Sequence, residues 1–288
     1  MRKEHTYTDI IKKFILYGES DENIRAVLIV GSRARQDKPA DKWSDLDLVI
    51  FANNPDQLLL NTDWIERIDR PYITFLEQTA VGEGKERRVL FEDGLDVDFA
   101  VLPSKSINKF INTSEVQEVL SRGNRVLIDK DDITRNLINK TPVNNFIKPT
   151  YDDLINDIND FWYHAVWAAK KLCRGEILIA KSVCDGYMKQ LLIKMIKLQS
   201  KIKNGVQFDT WHGYRFFEEW ANPYVIDKFK NVFSYYDEQD IWSALKNTMI
   251  LYREISVDVS TLLKYKYPHE ADRFASDFIE KLQVERKM

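Results

Sequence analysis

The chain reads as an α+β protein, with a mixed-sheet region over residues 1–140 followed by an all-helical region over residues 150–288. Two patterns predict this. The first half carries short apolar runs of strand length, cut off by Gly, Pro or Asp, whereas the second carries long segments with apolar residues at helical spacing. Between them, "NKTPVNNFIKPT" sets two prolines among polar residues, the composition of a linker. At 288 residues the chain is long enough for one large domain or two smaller ones, and the change of pattern favours two.

Taken in order, "TDIIKKFILYGE" places Ile10, Ile11, Phe14 and Ile15 at helical spacing and ends near Gly18. "IRAVLIV" is a continuous apolar run stopped by Gly31, which predicts a buried strand. "LDLVIF" is the next strand, "YITFLEQ" a further one, and "RRVLFEDGLDVDFAVLP" holds two strands about a turn at Asp93-Gly94, the second ending at Pro103. "SINKFINTSEVQEVLSRG" reads as short helices and "NRVLIDKD" as a last strand. In the second half, "YDDLINDINDFWYHAVWAAKKLCRGE", "EILIAKSVCDGYMKQLLIKMIKLQSKIKNG" and "EQDIWSALKNTMILYREISVDVSTLLKYKYP" are each expected to form one long amphipathic helix, the second ending at Gly205 and the third at Pro268.

Composition narrows the function. A net charge of −3, from 42 basic and 45 acidic residues, lacks the basic excess that binding to a nucleic-acid backbone requires. No run approaches the ~20 apolar residues of a membrane span, and the N-terminus has no apolar signal core. The two cysteines, Cys173 and Cys184, would lie ~16 Å apart on one continuous helix, too far for a disulfide. A cytoplasmic protein with neither nucleic-acid nor membrane partners is expected.

The chemistry sits in "GSRARQDKPADKWSDLDLVIF". Alternate side chains of a strand share a face, so Asp45 and Asp47 project together with Leu46 pointing the other way. Two such carboxylates repel each other, and a divalent metal resolves the conflict; Mg²⁺ takes hard oxygen ligands and commonly uses one or two carboxylates together with substrate phosphates. Upstream, Gly31-Ser32 follows the buried strand. A turn there can point successive backbone N–H groups and the Ser32 hydroxyl at phosphate oxygens, with Arg33 adding charge. Nucleotidyl chemistry then calls for a third acid on a neighbouring strand. "GLDVDFAVL" offers Asp96 and Asp98 on one face, and Asp98, between Val97 and Phe99, is the better candidate.

With Gly-Ser, Asp-x-Asp and a later acid in place, the sequence resembles the nucleotidyltransferase superfamily. More narrowly, it is similar to the aminoglycoside 6-adenylyltransferase (streptomycin adenylyltransferase) family through "GSRA", "SDLDLVIF", "LFEDGLDVDFAVL", "DFWYHAVWAAKKLCRGEILIAK", "DIWSAL" and "YREISVDVSTLLKYKYP", which follow in the family's order. Two departures stand out: Asp45-Leu46-Asp47 where members typically have Asp-Tyr-Asp, and Leu95-Asp96 where they often have Asn-Arg.

The resemblance implies a nucleotidyltransferase-type sheet domain that binds Mg-ATP and a helical domain that closes on it. Asp45, Asp47 and Asp98 would hold Mg²⁺ and form the catalytic set. Gly31, Ser32 and Arg33 would bind the nucleotide, with Lys181 and then Arg174 in "KKLCRGEILIAK" adding cations for the triphosphate. The expected reaction moves AMP from ATP to a cationic aminoglycoside, streptomycin at its 6-hydroxyl, releases pyrophosphate and confers resistance. A cationic sugar would be met by carboxylates and flat rings, such as those from Asp160 to Trp167 and from Glu218 to Trp220. The alternatives are a lincosamide or a protein as acceptor, or a non-catalytic nucleotide-binding or antitoxin-like module. Three clustered acids count against the last of these.

Overall fold

A computed structural model of the chain describes residues 5–80, 84–110, 112–135 and 146–287. They fall into two compact units that divide between residues 145 and 146. Most of the segment read as a linker lies outside the described residues, and 146–150 form neither helix nor strand.

The first unit is a six-stranded mixed sheet flanked by helices. Helix α1 (Tyr7–Ser20) begins at Thr6, whose side chain accepts from the Asp9 N–H. β1 (Ile24–Val30) and β2 (Leu46–Ala52) are the two apolar runs flanking the Gly31 motif. Short helices α2 (Asp56–Leu59) and α3 (Asp63–Glu66) lead to β3 (Ile73–Gln78), β4 (Lys85–Leu90) and β5 (Asp96–Pro103), and α4 (Ile107–Phe110) and α5 (Ser114–Arg122) precede β6 (Arg125–Asp129). The strand order is β3-β4-β5-β2-β1-β6. Every adjacent pair is antiparallel except β2 and β5, which run parallel with Asp47 opposite Asp98.

Apolar side chains line both faces of this sheet. Leu46, Leu48, Val97 and Phe99 pack with Ile10 and Phe14 of α1 and with Trp64 of α3. On the other face, Val30, Val49 and Phe51 pack with Ile107 of α4 and with Val116 and Leu120 of α5. Strand alternation puts Asp47 on this second face, one step beyond Val49. The strand therefore buries its even-numbered residues in one core and carries the acid on the face of the other.

The second unit is all-helical. α6 (Tyr151–Cys173) opens with a reciprocal capping box between Thr150 and Asp153. It ends at a break at Gly175, whose φ of +74° suits glycine, so Cys173 and Cys184 do not share one continuous helix; both are free thiols. The expected second helix divides into α7 (Ile177–Ser182), a π turn at Val183–Tyr187 and α8 (Met188–Asn204). After the short α9 (Phe217–Trp220) and α10 (Pro223–Phe229), α11 (Glu238–Leu263) stops at Lys264, which takes a left-handed conformation, and not at Pro268. Pro268 instead precedes a further helix, α12 (His269–Lys287), for which the sequence pattern gives no prediction. Phe161 of α6 stacks on Tyr252 of α11 at 3.6 Å between ring centres, and the Trp162 indole N–H donates to the Tyr267 hydroxyl. No helix among the described residues is long and apolar enough to cross a membrane.

Candidate active site

The parallel pairing of β2 with β5 brings the predicted acids together. Asp45 stands just before β2, Asp47 is its second residue, and Asp98 lies beside Asp47 on the next strand. Each offers a carboxylate oxygen within 4.8 Å of the others'. Asp98 is buried, while Asp45 and Asp47 are partly open. Three hard oxygen donors at this spacing suit a small divalent cation such as Mg²⁺, so the residues present fit the metal that the sequence implied.

Gly31 brings the turn after β1 against this group. Its φ is +68°, and a Cβ placed there would fall 2.1 Å from Asp47 Oδ2, so only glycine lets the backbone pass. Gly31–Arg33 form a single turn of 3₁₀ helix, in which the Gly31 carbonyl accepts from the Ala34 and Arg35 N–H groups. Ser32 is buried, and its Oγ has no hydrogen-bond partner among the described atoms. A buried hydroxyl without a partner carries a desolvation cost that an incoming acceptor oxygen would relieve.

Arg33 has structural work of its own. It donates through Nε to the Asp45 carbonyl at 2.8 Å and through Nη2 to the Ser44 carbonyl at 2.6 Å, and its guanidinium lies 3.5 Å from the centre of the Tyr7 ring. It thus holds the backbone from which Asp45 projects.

The other two predicted cations belong to the second unit. Lys181 donates to Asp185 Oδ2 at 2.5 Å, to Ser234 Oγ at 3.1 Å and to the Ser234 carbonyl. Asp185 sits in the π turn. Arg174 is largely exposed and pairs with Glu176. The acid and aromatic cluster on α6 divides between core and surface. Phe161 and Trp162 are buried in the helical core, whereas Tyr163 is exposed and Asp160 holds both His164 Nδ1 and the Tyr187 hydroxyl at 2.7 Å. Trp220 is likewise buried, beside exposed Glu218 and Glu219.

Sequence reasoning missed the charges on β4. Arg88 lies directly across from Asp98 and closes on both its oxygens, and Glu86, two residues away on the same face, lies beside it. Alternation in "KERRVL" puts Glu86 and Arg88 on one face and Arg87 on the other, and the β4–β5 pairing, which local sequence does not fix, sets Arg88 against Asp98.

Burial, with Asp98 nearby, pushes the Glu86 carboxyl up to about 7 against the pull of Arg88; Glu77 and Asp45 add smaller upward pushes. Burial and Asp98 also raise Asp96. Between the ordinary Glu value of 4.5 and about 7, the folded protein binds more protons at Glu86 than the unfolded chain does. Its contribution to stability therefore falls as pH rises through that window. Glu86→Gln, which keeps the shape of the protonated acid, should make the metal-free protein more stable than the parent at pH 8, by about 1–2 kcal/mol after solvent screening. Most of that advantage should disappear by pH 5. Thermal melts in EDTA across this range measure it, and a gap independent of pH would contradict a raised Glu86.

Comparison with known proteins gives the chain's family. A family model described as streptomycin adenylyltransferase matches residues 1–282. An aminoglycoside 6-adenylyltransferase from Campylobacter jejuni is 27% identical over 278 residues, covering 93% of this chain and 92% of that protein. One from Bacillus subtilis (strain 168) is 26% identical over 275 residues, covering 93% and 94%. A crystal structure of an aminoglycoside 6-adenyltransferase from Bacillus subtilis covers 98% of this chain and 99% of its own, at 23% identity and a TM-score of 0.46.

Proposed function

The chain belongs to the streptomycin adenylyltransferase family and is an adenylyltransferase, and from that premise we propose that it transfers AMP from Mg-ATP to the 6-hydroxyl of streptomycin, releasing pyrophosphate and conferring resistance. The observation that carries this reading is the meeting of Asp45, Asp47 and Asp98 within 4.8 Å. Those three carboxylates would hold Mg²⁺, which when bound offsets phosphate charge and makes a coordinated hydroxyl easier to deprotonate.

The remaining work falls to the protein. Gly31 permits the close backbone approach, and the unpartnered Ser32 hydroxyl offers a donor to a phosphate oxygen. Arg33 keeps Asp45 in place through the carbonyls at 44 and 45. As the acceptor oxygen bonds to the α-phosphorus, the bond from that phosphorus to the bridging oxygen breaks, pyrophosphate leaves with its electron pair, and the hydroxyl proton passes to water. Both Asp98 oxygens accept from Arg88, so we assign Asp98 to holding charge beside Asp45 and Asp47. Alignment and charge neutralisation then supply most of the rate.

The test is to incubate the protein with Mg-ATP and streptomycin and to map the added AMP by mass spectrometry and NMR. One AMP on the 6-hydroxyl is expected, with binding that weakens as salt rises because the acceptor is cationic. Transfer to a lincosamide or a protein hydroxyl, with streptomycin untouched, would overturn the acceptor assignment.

A further inference from the structure

Arg88 makes the strongest type of contact available to Asp98. Its Nε donates to Oδ1 at 2.7 Å and its Nη2 to Oδ2 at 2.5 Å, a planar fork on a planar carboxylate. The same guanidinium lies 3.3 Å from Glu77 Oε2 and 3.9 Å from Glu86 Oε1. These grips come from three strands in register: Glu77 on β3, Glu86 on β4 beside Arg88, and Asp98 on β5. The side chain is therefore held from both sides, and Asp98 is held with it.

We infer that Arg88 is a positioning residue that aims Asp98 at Asp45 and Asp47 and, as a fixed positive charge on the third carboxylate, competes with the divalent cation for it. This rests on the reading of Asp45, Asp47 and Asp98 as the metal site. Two effects of Arg88 follow, and they oppose each other. The fork fixes the carboxylate's direction, which favours turnover. Its full charge, close to the place of a divalent ion, weakens binding of that ion. For binding alone the charge outweighs the fork, because a short aspartate side chain gains little freedom when released, whereas repulsion between a guanidinium and a dication at this range is large.

Titrating Mn²⁺ into metal-free, nucleotide-free protein by calorimetry separates these effects. Arg88→Met should bind Mn²⁺ at least about tenfold more tightly than the parent. Arg88→Lys, which keeps the charge and loses the fork, should bind it within about threefold of the parent. Both variants should lose at least about tenfold in kcat at saturating Mn²⁺ and ATP, with the KM for ATP little changed. Asp98→Asn should weaken Mn²⁺ binding about tenfold or more. If Arg88→Met binds Mn²⁺ no more tightly than the parent while Asp98→Asn weakens it, the inference is overturned and the metal reading stands. If Asp98→Asn leaves Mn²⁺ affinity unchanged, the metal reading falls and takes the inference with it. Should Arg88→Met not fold, Arg88→Gln carries the same expectation.

Discussion

Asp47→Asn should lower turnover by at least about a hundredfold while leaving the protein folded. The amide has nearly the shape of the carboxylate, so the parallel β2–β5 pairing that sets Asp47 opposite Asp98 has no steric reason to shift. What changes is charge. One of three oxygen donors within 4.8 Å becomes a neutral amide, a far poorer ligand for a hard cation. The same substitution relieves repulsion among the acids, so the melting temperature in EDTA should hold or rise slightly. Asp45→Asn should behave alike. Initial rates of pyrophosphate release at saturating ATP, together with melts followed by circular dichroism, give both quantities. Activity within a few-fold of the parent for either variant would remove these residues from the metal set.

That acid pair was legible because it breaks a pattern. In "LDLVIF" every other position is apolar enough for a core, and a charge at the second residue of such a run has to face something other than packed side chains. The third acid needed more. Asp96 and Asp98 share a face, and local sequence does not set which of them meets Asp47; the choice of Asp98 rested on its flanking Val97 and Phe99, and the parallel register places it there. Arg88 was out of reach for the same reason. Its partner is fixed by how β4 and β5 pair across a turn, and "RR" puts one arginine on each face without saying which face holds the acids.

Arg87, the neighbour, points into the apolar side and is buried with its Nε unpartnered, a placement that composition alone would have argued against. In the helical unit, lengths and faces were readable but their ends were not. The π turn adds one residue to a turn without breaking the apolar stripe, so α7 and α8 read as one helix. α12 escaped because nearly half of "HEADRFASDFIEKLQVERK" is charged and its few buried residues, Asp272, Ala275 and Ile279 among them, make a thin stripe. Pro268 opens that helix rather than only ending the one before: its carbonyl accepts from the Asp272 N–H, and its missing N–H is not needed ahead of a first turn.

Gly31→Ala tests the site from the backbone instead of from its charges, and its expected loss is as large as that of the acid variants. Alanine at a φ of +68° costs roughly 1–2 kcal/mol in backbone strain. The added Cβ would also lie 2.1 Å from Asp47 Oδ2, well inside any allowed contact, and 3.0 Å from that residue's Cγ. Either the turn or the carboxylate has to move by about an ångström, and a misplacement of that size in a charge-aligned site costs on the order of a hundredfold in rate. The turn has little freedom to give way, because the Gly31 carbonyl caps the 3₁₀ turn through Ala34 and Arg35 and the Ser32 carbonyl accepts from the Ala40 N–H. The carboxylate is therefore the part expected to yield, which carries Asp47 away from Asp45 and Asp98. Turnover should drop at least about a hundredfold, with a fall in melting temperature of only a few degrees, consistent with roughly 1–2 kcal/mol in a chain of this size. Mn²⁺ titration of the same variant should show weakened binding, unlike a variant damaged only in nucleotide contacts. Near-native rates and near-native Mn²⁺ affinity would mean that the turn relaxes freely, and the role given to Gly31 in holding backbone against Asp47 would have to be abandoned.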